Sequence, residues 1–276
     1  MLTPQQLEEF QRAGIVRVPG AISARAAASM CDAVWDMMAR NYKIRRNDPK
    51  TWKAQRIAGT KERPKAITVA NLLSPLRAIF DQTLASAEWD CDQHWGSLLV
   101  SFPGSWHEPL PTGWDLPHQG WHLDAPVVRA LPDLYGVRVF TCLAKLESKG
   151  GATLAVAGSP RLAIALANAR GAAKMRSQDV RKGLAERYEW IGQLCSSETV
   201  DRVARFMNTT TKVEDVDVRV VEMTGEPGDV YLVHPLMVHA GSPNCLAAPR
   251  MVLSSTVYRR GVDWRALYGA EADAAA

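Results

Sequence analysis

The chain opens on a helical pattern. Thr3 can cap, Pro4 suits a first turn, Gln6 completes a capping box, and Gly14 ends the run. The short apolar IVRVPG that follows reads as a strand. Ser23 then caps a second helix, ARAAASMCDAVWDMMARNY, whose Ala28, Cys31, Val34, Trp35 and Met38 recur at helical spacing and should face a core. These N-terminal helices cover about residues 3–41. Farther along, the apolar positions shorten into strands: Ser97 to Phe102, Val137 to Leu146, Thr153 to Val156, Val216 to Met223, Asp229 to Val233 and Met251 to Tyr258. All are rich in β-branched and aromatic residues and bounded by Gly, Pro or Asn. Several short strands of this kind predict a barrel or sandwich. Between Pro160 and Asn208 the pattern returns to Ala, Arg, Glu and Leu at helical spacing. It predicts an all-helical insertion, about residues 160–208, that serves as a lid, a dimerisation surface or a plain packing layer.

At 276 residues and 47% apolar composition, the chain can bury a large core, and one domain over 1–276 is the expectation. The N-terminus is amphipathic rather than a basic flank with an apolar run. No apolar stretch is long enough to span a bilayer, so the sequence predicts a cytoplasmic protein with no membrane partner. Five scattered cysteines without CxxC spacing read as reduced, mostly buried thiols. Charge is concentrated: ten basic residues between Arg40 and Lys65 face only Asp48 and Glu62. With Tyr42 and Trp52 interleaved, that segment can attract an anion or nucleic acid. No nucleic-acid module accompanies it, so a solvated loop is the expected reading.

Chemistry enters at HQGWHLDAPV, His118 to Val127. An ion that activates oxygen needs two imidazoles and a carboxylate on one face, with open positions left over. His122 and Asp124, two apart, project from one side of a strand, but such a pair also arises by chance. The third ligand must come from elsewhere: His239, before a turn at Gly241, Pro243 and Asn244, competes with His234, and a buried structural histidine is the alternative for either. Arg250 adds a cation suited to a carboxylate at the start of the next strand. Cys91, Asp92 and His94 read as ordinary structural residues.

These residues resemble the phytanoyl-CoA dioxygenase-like branch of the iron(II)/2-oxoglutarate oxygenases. The likeness rests on HLD at 122–124, GDVYLVHPLMVHAGSPN at 228–244 and Arg250. Three further stretches are similar to family elements: LTPQQLEEFQRAGIVRVPGAIS at the start, FPGS at 102–105, and GGATLAVAGSPR at 150–161. The resemblance implies a mainly β fold with flanking helices around a double-stranded β-helix, a cupin-like jelly roll. It implies iron(II) held by His122, Asp124 and His239, with Arg250 on the 5-carboxylate of 2-oxoglutarate. Thr141 and Ser255 are weaker cosubstrate candidates, placed by strands expected to line the barrel. His118, Trp106, Trp114 and Trp121 are candidates for a substrate pocket, or for packing over the barrel mouth. Two departures stand out: Gly241 where the family often has Ser, and Arg161 in place of a terminal histidine.

Halogenating relatives replace the metal carboxylate with Gly or Ala, and His118-Gln119-Gly120 has that form. The glycine-rich element at Gly150–Gly151 lies at the family's spacing from Asp124 rather than from Gly120, which favours the second pair. The implied reaction consumes 2-oxoglutarate and O2, releases succinate and CO2, and oxidises a C–H bond of a small-molecule substrate. Hydroxylation is the first expectation; desaturation or ring closure, and a ligand-binding or sensor protein without turnover, are the alternatives.

Overall fold

Alternation of period two and helical periodicity both become structure in a computed structural model that describes residues 1–53, 56–58, 64, 67, 69–91, 96–104 and 113–262. In chain order the elements are α1 (Pro4–Ala13), β1 (Ile15–Val18), α2 (Ala24–Tyr42), β2 (Arg56–Ala58), α3 (Val69–Thr83), β3 (Trp89–Cys91) and β4 (Ser97–Ser101). Next come β5 (Val127–Val128), β6 (Gly136–Cys142), β7 (Thr153–Ala157), α4 (Ser159–Ala169), β8 (Lys174–Met175), α5 (Ser177–Arg187) and α6 (Glu189–Leu194). The chain ends with β9 (Thr211–Val213), β10 (Val216–Glu222), β11 (Val230–Val233), β12 (His239–Gly241) and β13 (Arg250–Arg259).

The opening follows its local signals. Thr3 accepts from the Gln6 N–H at 3.2 Å while the Gln6 side chain accepts from the Thr3 N–H at 3.0 Å, and Gly14 closes α1 at φ 75°. Ser23 caps α2 through the Ala26 N–H.

The strands form two facing antiparallel sheets. The larger runs β1-β11-β6-β13-β4-β2, with β3 also on β13; the smaller runs β12-β7-β10-β9. Passing back and forth between them through β6, β7, β10, β11, β12 and β13, the chain winds a double-stranded β-helix, a mainly β fold with helices outside. Strand alternation sorts the side chains into three layers. Phe140, Cys142, Tyr231 and Val252 of the larger sheet meet Ala155 and Ala157 of the smaller one between the sheets. Val137, Val139, Leu253 and Val257 point outward and pack with Val34, Met38, Leu72 and Phe80 of α2 and α3. Leu154, Val156, Val218 and Val220 point outward from the smaller sheet onto α4 to α6.

Two expectations change. α3 was not anticipated after the basic segment, because Pro75 lies inside it and a proline counts against a helix interior. Leu72, Leu76, Ile79 and Phe80 are nonetheless all buried at helical spacing, and that packing outweighs the proline. The 160–208 insertion is not all helical, since β8 pairs with β5 in a two-stranded ribbon. It forms a packing layer: Leu162, Leu166, Leu184 and Leu194 are at most 2% exposed.

The basic segment lies partly outside the described residues. Where described, Arg46 pairs with Asp32 at 2.7 Å, and Trp52 packs its ring against Trp35 and Phe102. The cysteines are unbridged; Cys31 and Cys142 are buried and Cys245 is exposed. Among the described residues, no helix is long and apolar enough to cross a membrane.

His234, just after β11, is buried; its N–H donates to the Gly14 carbonyl, and its Nδ1 accepts from the Leu236 N–H at 3.1 Å. Burial lowers its pKa to about 4, against a smaller opposing contribution from a backbone hydrogen bond at Asp133. A base whose pKa is lower when folded loses stability as the pH falls, because the unfolded chain takes up the proton first. Stability is therefore expected to be full above pH 6.5 and to fall by roughly 3 kcal/mol toward pH 4 from this residue alone. Urea unfolding of His234→Gln across that range should show a shallower slope; an identical slope would remove His234 from the explanation.

Candidate metal centre

The segment leading to HLD is anchored before it reaches the site. Arg202, from the helical layer, is buried, and its guanidinium donates to the carbonyls of Leu116, Pro117, Leu194 and Ser196. Trp121 Nε1 adds a bond to the Pro117 carbonyl at 2.8 Å. Trp121 and Leu123 then sink into the outer core, so His122 and Asp124, on the alternate face, turn the other way. Replacing Arg202 with methionine leaves several carbonyls without a donor. It is expected to cost about 3 kcal/mol in denaturant unfolding and to weaken metal binding. No change in either would show the clasp to be idle.

β12 supplies the second histidine. His122 N–H donates to the His239 carbonyl and His239 N–H to the His122 carbonyl, both at 2.9 Å, so one backbone bridge places the two side chains together. Their rings lie 4.3 Å apart. Nε2 of His122 is 3.6 Å from Asp124 Oδ1, and Nε2 of His239 is 3.1 Å from Oδ2. One ligand atom from each of the three residues lies within 4.8 Å of the others.

The ring orientation follows from the partners. His122 Nδ1 lies 2.8 Å from the Gly120 carbonyl and His239 Nδ1 lies 3.0 Å from the Met237 carbonyl. A carbonyl only accepts, so each Nδ1 carries a hydrogen and each Nε2 is the nitrogen turned to the shared point. Burial and then the neighbouring His239 lower the pKa of His122. Burial alone would raise the pKa of Asp124, but the Arg138 guanidinium, followed by His239 and His122, holds it well below the usual carboxylate range. Two imidazole Nε2 atoms and a carboxylate thus converge. Asp124 Oδ2 is buried with no aligned hydrogen-bond donor among the described residues. The N2O donor set of the group suits a divalent transition metal. Side-chain exposures of 52% for His122, 24% for Asp124 and 10% for His239 leave one side open.

The other candidates divide. Arg250 is buried between the sheets, donates to Thr153 Oγ1 at 2.6 Å, and lines a small cavity with Phe140, Cys142, Tyr231 and Val252. Thr141 and Ser255 lie on β6 and β13 as expected, but on the wrong face for a cosubstrate contact. Their registers pair Thr141 with Leu253 and Ser255 with Val139, so both turn away from Arg250 toward the outer core under α2 and α3. Trp121 and Trp114 pack with the helical layer. His118 lies beside Gln119 and outside the three-residue group, although Gly120 of the same triplet orients His122 through its carbonyl. Trp106 lies outside the described residues, as do Asp92, His94 and His107. His234 takes no part in the group.

One functional residue escaped the sequence reading. Arg138, on β6, brings Nη1 to 2.5 Å from Asp124 Oδ2, a charge contact without hydrogen-bond alignment, and donates through Nη2 to Ser254 Oγ at 2.9 Å. Its signal was a lone arginine in the apolar run VRVFTC, since a cation in a buried strand requires a partner.

A family model described as Phytanoyl-CoA dioxygenase (PhyH) matches residues 10–252. No curated protein matches the chain. Among solved structures, AviO1 from Streptomyces viridochromogenes Tue57 is similar at 16% identity and TM-score 0.52, covering 95% of this chain and 98% of that one. EvdO2 from Micromonospora carbonacea var. aurantiaca, complexed with 2-oxoglutarate, is similar at 16% identity and TM-score 0.50 over 94% and 91% of the two chains. HygX from Streptomyces hygroscopicus, with nickel and 2-oxoglutarate bound, is similar at 14% identity and TM-score 0.50 over 94% and 88%. At these identities the likeness is one of fold.

Proposed function

Because the chain belongs to the phytanoyl-CoA dioxygenase family, we propose that it is an Fe(II)/2-oxoglutarate-dependent dioxygenase that hydroxylates an unactivated C–H bond of a small-molecule substrate. The observation that carries this reading is the convergence of one ligand atom each from His122, Asp124 and His239 within 4.8 Å of one another. The metal-bearing and 2-oxoglutarate-bearing structures of similar fold agree with it. His122, Asp124 and His239 would hold an iron(II) ion, which with 2-oxoglutarate and dioxygen would supply the oxidising chemistry a C–H bond needs, with 2-oxoglutarate becoming succinate and carbon dioxide.

The chain's own residues do the rest. The Gly120 and Met237 carbonyls orient both imidazoles with Nε2 toward the metal position. Arg250, buried and set by Thr153, offers a fork-shaped cation to a carboxylate inside the barrel, which sets the cosubstrate's direction. The substrate approaches from the open side at His122, while apolar packing around Phe140 keeps water from the inner side. The same reading places the whole chain in one oxygenase domain in the cytoplasm.

The test is succinate release by the purified protein under oxygen, with a panel of small organic molecules and mass spectrometry of the products. Dependence on both iron(II) and 2-oxoglutarate is expected, with one oxygen atom added to the product. A protein that binds neither iron nor 2-oxoglutarate would overturn the reading.

A further inference from the structure

Arg138 is placed where an arginine is costly. Its side chain is only 21% exposed, its Nε–H is buried with no acceptor among the described residues, and its contact with Asp124 lacks hydrogen-bond alignment. A cation beside a metal position also opposes the metal, since like charges close together in a poorly solvated site repel strongly. An arginine serving only to orient Asp124 would use its fork in two aligned bonds, as arginine–carboxylate pairs do. Arg138 instead spends one arm on the Ser254 hydroxyl.

Its place on β6 suggests what the remaining donor is for. Arg138, Phe140 and Cys142 alternate on the inner face; β13 pairs Ser254 with Phe140 and Val252 with Cys142, and Arg250 lies two residues beyond Val252 on that same face. The guanidinium carbon of Arg138 is 5.5 Å from the Phe140 ring centre. Two arginines thus stand on one inner wall, one at the metal position and one beside Thr153, with apolar surface between them. A dicarboxylate has the matching pattern of two anionic ends and a short apolar middle.

We propose that Arg138 is an anion-binding residue of the metal centre. It receives the 1-carboxylate of 2-oxoglutarate on Nε–H, which has no acceptor among the described residues, and until then it pairs with Asp124, so that metal and cosubstrate bind cooperatively. The inference rests on the 2-oxoglutarate reading above. Coupling of this sort is reciprocal: whatever factor the cosubstrate adds to metal affinity, the metal adds to cosubstrate affinity. Direct chelation contributes part of that factor, and Arg138 contributes the remainder by relieving the charge conflict.

The experiment is calorimetric titration with nickel(II), which is redox-inert here, in the absence and presence of saturating 2-oxoglutarate. It uses the full chain, Arg138→Met and Arg138→Lys, each checked by thermal melting. In the parent protein, 2-oxoglutarate should raise nickel affinity by at least about tenfold. In Arg138→Met, nickel alone should bind as tightly or several-fold more tightly, and the gain from 2-oxoglutarate should shrink by at least about tenfold. Arg138→Lys keeps the charge but loses the Nε donor and the fork, so it should bind nickel as the parent does with a several-fold smaller gain. An unchanged gain in the variants overturns the proposal. So does a loss of nickel affinity without 2-oxoglutarate in Arg138→Met, which would make the residue a prop for Asp124. A parent protein that binds neither nickel nor 2-oxoglutarate would instead overturn the underlying functional reading, a result separable from these.

Discussion

Replacing Asp124 with glycine is expected to weaken divalent-metal binding by more than about a hundredfold and to reduce succinate release to background. Removing an outer partner of a metal ligand already costs about 10- to 100-fold in affinity, and Asp124 is placed as a ligand itself. The variant should stay folded, because the segment is held by Trp121, Leu123 and the Arg202 clasp rather than by the carboxylate. Arg138 loses its anionic contact at the same time, leaving two imidazoles beside an uncompensated cation. Metal titration with circular dichroism as a folding control measures the effect. Unchanged metal binding and turnover would mean that the ion sits elsewhere and that HLD is a coincidence of sequence.

Arg250→Leu should raise the KM for 2-oxoglutarate by about 10²- to 10³-fold, because losing one partner of a buried charged pair costs about 2–5 kcal/mol. At saturating cosubstrate, kcat should recover to within a few-fold, and nickel affinity measured without 2-oxoglutarate should not move. The separation follows from position: Arg250 bonds Thr153 on β7 and belongs to the inner cavity rather than to the three-residue group. Steady-state kinetics at several 2-oxoglutarate concentrations decide the matter. A fall in kcat with constant KM would move Arg250 from cosubstrate binding to another role.

Much of the fold was legible because its signals are local. Thr3, Gln6 and Gly14 bound α1, and Ser23 starts α2, through hydrogen bonds that span only a few residues. The main strands could be read because apolar alternation and flanking turn residues agree along each of them. α3 was obscured by Pro75, whose cost is visible in sequence while the packing of Leu72, Leu76 and Phe80 that offsets it is not. The site shows the same division. The HLD spacing and the later histidine identified the three residues that come together, but nothing in a strand's sequence says which of its two faces looks inward when both are apolar. That is why Thr141 and Ser255 were placed on the correct strands and the wrong side. Arg138 was missed for a related reason, since its partner is chosen by the pairing of distant segments.

The mutual backbone bridge between His122 and His239 also ties assembly of the centre to the order of folding. Its two members come from opposite halves of the chain, so no fragment or early intermediate that lacks either half can present the site. Pairing across so long a loop is slow and late in folding. A metal ion that binds this group would favour the completed protein and by mass action withdraw population from partly folded states. At a hundred times its Kd, an ion that ignores the unfolded chain adds about 2.7 kcal/mol. The centre is in this sense a seal as well as a reaction site, and chain made while metal is scarce would be more exposed to proteolysis.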